Sequence, residues 1–143
     1  MLVPKEFMDL VELPIYASLS TIMPKGYPQT TLVWFDYNDE IFRINTMKGF
    51  QKERNMRRNP KVSLLIYNIK NPNRFIEVRG EVSEMTEEGA RDHLNLLSKK
   101  YTGKTNYFGD IIPKKYEKSE FPVLCKIKPK RIIIMPTLKE DEK

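Results

Sequence analysis

Along this chain the apolar residues recur chiefly at every second position, in short β-branched and aromatic runs punctuated by Pro, Gly and Asn. Residues 15–23, IYASLSTIM, alternate in this way with Ser18 and Ser20 on the polar side, and predict a strand. After the turn PKGYPQ, the segment TTLVWFDY at 30–37 predicts a second strand. NDE turns it into a third, IFRINTM at 41–47, so that residues 15–47 read as a three-stranded meander. KVSLLIYNI at 61–69 and RFIEVRGEVSEM at 74–85 predict two more strands, and VLCKIKPKRIIIM at 123–135 two closing strands broken at Pro129. Helical spacing appears over residues 4–12, stopped near Pro14, and again from about Gly49. It returns over residues 86–103, with Thr86 as N-cap, acidic residues in the first turn, Lys99 and Lys100 in the last, and Gly103 to end it. Residues 104–122 have no clean period and read as an ordered loop, and LKEDEK at 138–143 as a solvated tail. Six or seven short strands with two or three helices predict a small, mainly β barrel with helices at its edges.

Composition narrows what such a barrel does. A chain of 143 residues falls in the ~100–150 range of one domain with its own core. Its single cysteine, Cys125, has no internal partner, and no run approaches the ~20 apolar residues that span a bilayer. The N-terminus lacks the basic start, apolar centre and small-residue cleavage site of a secretory signal, so the expectation is a cytoplasmic protein. One His and one Cys do not make an ordinary zinc site, and a nucleophilic triad would rest on His93 alone, in a polar helical stretch. The expectation is no metal and no catalytic triad. A net charge of +6 points instead to an anionic partner: nucleic acid, a membrane surface or a phosphorylated small molecule.

Much of that charge lies in NTMKGFQKERNMRRNP at 45–60. Lys48, Lys52, Asn55 and Asn59 recur at helical spacing and share one face. They stand near a helix N-terminus, where unpaired N–H groups and the helix dipole already favour an anion. A phosphate would be held there by amides, one or two ammonium groups and the Thr46 hydroxyl, with Gly49 letting ligand and backbone approach. Two readings compete: a solvated helix whose charges serve solubility, and nucleic acid running along Arg54, Arg57 and Arg58 with aromatic rings stacked on bases. Position favours the phosphate, because the cluster directly follows a strand ending in polar Asn45 and Thr46, while the aromatic residues sit in strand interiors or in the later loop.

The succession GYPQTTLVWFDYNDEIFRINT, KGFQKERNMRRNPKVSLLIYN and NPNRFIEVRGEV, with a looser KPKRIII ending, resembles the split β-barrel flavin-binding family that includes pyridoxamine 5'-phosphate oxidase and its deazaflavin-dependent relatives. The resemblance implies a homodimer that binds a flavin or deazaflavin phosphate in each of two interface clefts. By matching position it implies that Thr30, Thr31, Leu32, Val33 and Trp34 line the ring system, partly through backbone groups. Asn45 and Thr46 would begin the phosphate site and Gln51 and Lys52 continue it, Lys52 standing where the family places its phosphate-binding lysine. Arg74 and Phe75 would approach the ring from the other subunit. Lys48 and Asn55 join this set on the spacing described above, supported by similar residues in the deazaflavin-using branch. Thr30 and Gln51 occupy positions where the oxidase carries basic residues. PQ, VWFDY, Lys52 three residues before Asn55, and RR ahead of Pro60 read as in the deazaflavin branch. The acidic oligoglutamate tail of that branch's cofactor, coenzyme F420, would give Arg57, Arg58 or Lys48 a partner. The oxidase's substrate-phosphate residues near the C-terminus are missing, so pyridoxamine phosphate is not the expected substrate. The resemblance thus implies an F420-dependent oxidoreductase passing hydride to a small organic acceptor. FMN is the alternative cofactor, and a cofactor carrier without turnover the alternative role. Neither nucleic acid nor membrane is expected as a partner.

Other residues read more plainly. Trp34 suits the core as well as it suits contact with a ring. Arg79 is expected to pair with Glu77 or Glu81 on its own strand face. Tyr101, Tyr107 and Tyr116 either shape a substrate pocket or sit at a dimer seam, and Tyr101, Tyr107 or solvent are the candidate proton sources. His93 and Cys125 are expected to be structural.

Overall fold

The computed structural model describes residues 1–135, so the predicted tail LKEDEK lies outside the described residues. Seven strands form one sheet: Ala17–Ile22 (β1), Pro28–Val33 (β2), Phe35–Asn38 (β3), Ile41–Met47 (β4), Lys61–Tyr67 (β5), Phe75–Thr86 (β6) and Pro122–Met135 (β7). Their spatial order is β2-β1-β5-β6-β7-β4-β3, and the paired neighbours run antiparallel. Three α-helices accompany them: Asp9–Glu12 (α1), Gln51–Arg58 (α2) and Ala90–Thr102 (α3). Alternation sends Leu19, Phe42, Ile44, Leu64, Ile66, Ile76, Val78 and Ile127 to one face, where they are fully buried.

The sequence-predicted meander is corrected at Trp34. The segment TTLVWFDY is not one strand: β2 pairs with β1 and β3 with β4, at opposite edges of the sheet. Since one residue separates the two edge strands, the sheet must curl until its edges meet at Trp34, as a half-barrel open along that seam. The C-terminal half of α3 pins both sides of the seam. Tyr101 donates its hydroxyl to the Ile15 carbonyl at 2.6 Å and accepts the Phe35 N–H at 3.2 Å. Lys100 donates to the Phe35 carbonyl at 2.8 Å.

Two further expectations change. The closing segment is one continuous strand, not two, because the register with β6 shifts between Gly80↔Pro129 and Arg79↔Arg131. Pro129 sits at this irregularity, where the ladder is already interrupted and its missing N–H costs little. Thr86 ends β6 instead of capping α3. Its hydroxyl accepts the Glu88 N–H at 3.0 Å, and the N-cap is Gly89, in the left-handed region at φ 76° that glycine tolerates. Gly103 ends the helix as expected, donating its N–H to the Lys99 carbonyl. The predicted loop contains a π-helical turn over Tyr107–Ile111 and a 3-10 turn over Lys114–Lys118, too short and irregular to leave a period.

Candidate functional site

A cavity of about 200 Å³ opens at the seam, lined by Leu32, Val33 and Trp34 from one edge, Asn45, Thr46 and Met47 at the end of β4, and Lys52 of α2. Tyr16, Phe50, Leu94, Leu97 and Tyr107 complete its wall. The topology explains the convergence: β4 lies next to the seam-edge strand β3 and runs straight into the turn that starts α2. Trp34 is half-buried and stacks on Tyr101, with ring centroids 5.4 Å apart and planes within 8°, while Tyr107 meets it edge-on at 6.1 Å. The indole thus forms part of the cavity wall and of the seam packing together.

The electrostatics are unbalanced towards an anion. Lys52 is half-buried and has no hydrogen-bond or carboxylate partner among the described residues, and burial holds its ammonium pKa below the ordinary value. Among the described residues no side chain caps the first turn of α2, which begins after Phe50. The Glu53 carboxylate turns back to the Gly49 N–H at 3.1 Å and to Arg57 at 3.0 Å, leaving the cavity side without a counter-charge from α2. Two buried polar atoms of the wall, Thr46 Oγ1 and Asn45 Oδ1, have no partner among the described residues. Buried oxygens left in this state are costly unless a ligand completes them.

The remaining residues singled out by sequence take other places. Thr30 shares a hydrogen bond with Ser20 at 2.8 Å on the exposed side of β2. Thr31 has a buried hydroxyl with no partner among the described residues, but it does not line the cavity. Lys48 precedes α2 and meets Glu87 at 3.5 Å. Asn55 is fully buried beneath α2: it donates to Thr21 Oγ1 at 3.0 Å and accepts from Gln51 at 2.8 Å and Arg58 at 3.1 Å. Its spacing marks the face of α2 that docks on β1, and Gln51 is drawn into the same network. Arg54 donates to Gln51 and Arg57 to Glu53, while Arg58 donates to the Ile22 carbonyl. The helix arginines are thus tied to their own chain. Arg74 forms a two-pronged pair with Asp9, both contacts at 2.8 Å, over the ring of Phe7. It fastens the N-terminal segment; the sequence placed Arg74 and Phe75 at a partner chain's ring, and neither lines the cavity of its own chain.

Of the candidate proton sources, Tyr101 is tied to backbone, and burial raises its phenol pKa well above the ordinary value. Tyr107 lines the cavity, its phenol also raised, by burial and then by Glu120. Cys125 is buried and its thiol pushed up to about 12, which keeps it unreactive. Tyr16, Phe50, Leu94 and Leu97 were not legible as site residues. The one local signal is an apolar Phe50 at the entrance to an otherwise polar helix.

Among the described residues there is no cluster of His, Cys, Asp or Glu suited to a metal ion, and no helix long and apolar enough to cross a membrane. A search of curated proteins finds no match. Among solved structures, an F420 reductase is 29% identical with a TM-score of 0.78, covering 92% of this chain and 98% of that one. A conserved hypothetical protein from Mycobacterium tuberculosis is 25% identical with a TM-score of 0.72, over 97% of this chain and 92% of its own. A putative pyridoxamine 5'-phosphate oxidase from Listeria innocua shares the fold at 22% identity and a TM-score of 0.68, over 92% of this chain and 97% of that one. The family profile described as pyridoxamine 5'-phosphate oxidase matches residues 3–135. The curled sheet, the seam cavity and this match over nearly the whole chain agree: the protein belongs to the pyridoxamine 5'-phosphate oxidase-like split-barrel family of flavin- and deazaflavin-binding oxidoreductases.

Proposed function

We propose that this protein is a cytoplasmic, homodimeric oxidoreductase that binds coenzyme F420 at the seam cavity and serves hydride transfer to a small organic acceptor. The observation that carries the reading is the unpartnered, half-buried Lys52 beside the buried Thr46 hydroxyl and the uncapped start of α2. Those groups would hold the cofactor phosphate through charge-assisted hydrogen bonds. Leu32, Val33 and Trp34, with Tyr107, supply an apolar wall for a ring system and exclude water from it. The deazaflavin, when bound, supplies the hydride chemistry, which is why no acid, base or nucleophile constellation is needed. Of the proton sources expected from the sequence, Tyr107 is the one that lines the cavity and is placed to hold a proton there.

The likeness to an F420 reductase supports the deazaflavin over FMN, as do the uncharged Thr30 and Gln51. A second chain is part of the proposal because one chain's cavity of about 200 Å³ falls short of the ~300–1,000 Å³ usual for a cofactor-sized ligand. Exposed apolar residues, Tyr16, Leu32 and Phe50, stand at its rim.

The test is titration of the purified protein with coenzyme F420 and with FMN, followed by ligand fluorescence at two salt concentrations. Micromolar or tighter binding of F420 with a shallow salt dependence is expected. Preference for FMN would transfer the same site to a flavin enzyme. Binding of neither cofactor, with an affinity for nucleic acid that falls steeply with salt, would overturn the reading.

A further inference from the structure

Behind the cavity wall lies a buried hydrogen-bonded row that the cofactor reading does not use. Arg43 and Asp36 face each other on β4 and β3 and form an ion pair. His93 of α3, almost fully buried, sets its Nε2 3.0 Å from Asp36 Oδ1 and its Nδ1 3.2 Å from Asn45 Nδ2. Asn45 Nδ2 also donates to the Ala90 carbonyl at 2.9 Å. Burial alone would raise the Asp36 carboxyl, but hydrogen bonds from His93 and Arg43, with the guanidinium charge beside it, outweigh it and hold it ionised.

These partners leave little freedom. A backbone carbonyl only accepts, so the atom of Asn45 that faces Ala90 must be the amide nitrogen. An ionised Asp36 accepts the Nε2 proton of His93, which leaves Nδ1 of the neutral ring as an acceptor for the second amide hydrogen. Both Asn45 hydrogens are then used on the α3 side. The carbonyl oxygen is buried, unpartnered and on a residue of the cavity wall.

We propose that His93, itself oriented by Asp36, is a positioning residue that locks Asn45 with its side-chain oxygen as the acceptor of the cavity, so that this point selects an uncharged N–H or O–H donor of the cofactor and rejects its phosphate. The inference rests on the cofactor reading above and refines it. Asn45, which the sequence grouped with the phosphate site, belongs to a different part of the ligand, and the phosphate is left to Thr46, Lys52 and the start of α2. In a flavin or deazaflavin the donor is either the imide N–H of the ring or a hydroxyl of the polyol side chain.

The experiment titrates wild type with F420 and FMN. It then uses counterparts of the bound parent that are methylated at the ring imide nitrogen or lack one side-chain hydroxyl. One probe, identifying the donor, should lose about tenfold in affinity, the size of one hydrogen bond. Asn45→Ala should abolish that ratio. His93→Leu, which leaves Asn45 in place but unlocked, should shrink it to about threefold or less. His93→Asn, whose side-chain oxygen can stand in for Nδ1, should restore most of it; if the leucine variant does not fold, His93→Phe, which also lacks an acceptor, takes its place. General loosening of the site would weaken parent and probe alike and leave the ratio untouched. A ratio unchanged in Asn45→Ala, or no probe penalised in wild type, overturns the assignment of Asn45. A ratio unchanged in the His93 variant that lacks an acceptor overturns the role of His93. Failure of both parents to bind wild type overturns the cofactor reading and this inference with it.

Discussion

Lys52 concentrates the cofactor reading in one ammonium group, and its alanine variant tests it directly. Lys52→Ala should weaken binding of the phosphorylated cofactor by about 1.5–3 kcal/mol, the range for a hydrogen bond to a charged group, while the protein stays folded. The effect has a pH signature. Burial lowers the Lys52 pKa in the free protein, and a bound phosphate favours the charged form and raises it again. Affinity should therefore fall as pH rises through the free-protein value, and the alanine variant should lack that alkaline limb. Asp36 makes the opposite contribution to stability. Its folded pKa lies below the ordinary 3.8, so its stabilisation is complete above that value and lost as pH falls through the lower folded one. Denaturant midpoints measured in acid should drop more steeply for wild type than for Asp36→Asn. At this scale Lys52 and Thr46 were legible, because a lysine and a hydroxyl at a strand-to-helix junction carry their chemistry locally. The partnership of His93 with Asn45 was not, since 48 residues separate them and only the docking of α3 on β4 brings them together.

The strands repaid reading as alternation, and their failures share a cause. Trp34 sits inside an unbroken β-branched and aromatic run, so no local signal marks it as the crossing from one sheet edge to the other. Pro129 gives a clear signal to break, overridden because β7 carries its irregularity at that point. The facing residue is Gly80, where an added Cβ would lie 2.8 Å from both Ile127 Cγ2 and the Lys128 carbonyl. Gly80→Ala should destabilise the protein by roughly 1–3 kcal/mol through overpacking. A thermal or urea melt reads this, and an unchanged midpoint would show that β7 yields there at no cost. For α2, the helical period was right and its meaning divided: Lys52 faces the cavity, whereas Asn55 holds the helix on β1 through Thr21. Spacing places residues on a helix face and is silent about what that face meets.

For the whole molecule, the outer face of the sheet bears on assembly. Registers align Leu32, Ser18, Leu65, Glu77 and Ile133 in one row across five strands, and Leu32 and Leu65 are among the exposed large apolar residues. If that face joins two copies, sedimentation should show a dimer, and Leu65→Glu should yield monomers that retain the fold and bind cofactor more weakly. A variant that stays dimeric would place the interface elsewhere. The sequence by itself determined the mainly β class, the basic junction between β4 and α2, and the resemblance to the family, because alternation, turn residues and charge at a helix start act over a few neighbouring positions. Only the tertiary structure decided that the sheet curls with its edges meeting at Trp34, that Arg74 pairs with Asp9, that Asn55 is buried under α2, and that His93 lies between Asp36 and Asn45. Each of those outcomes depends on contacts between residues far apart in the chain, which no local pattern encodes.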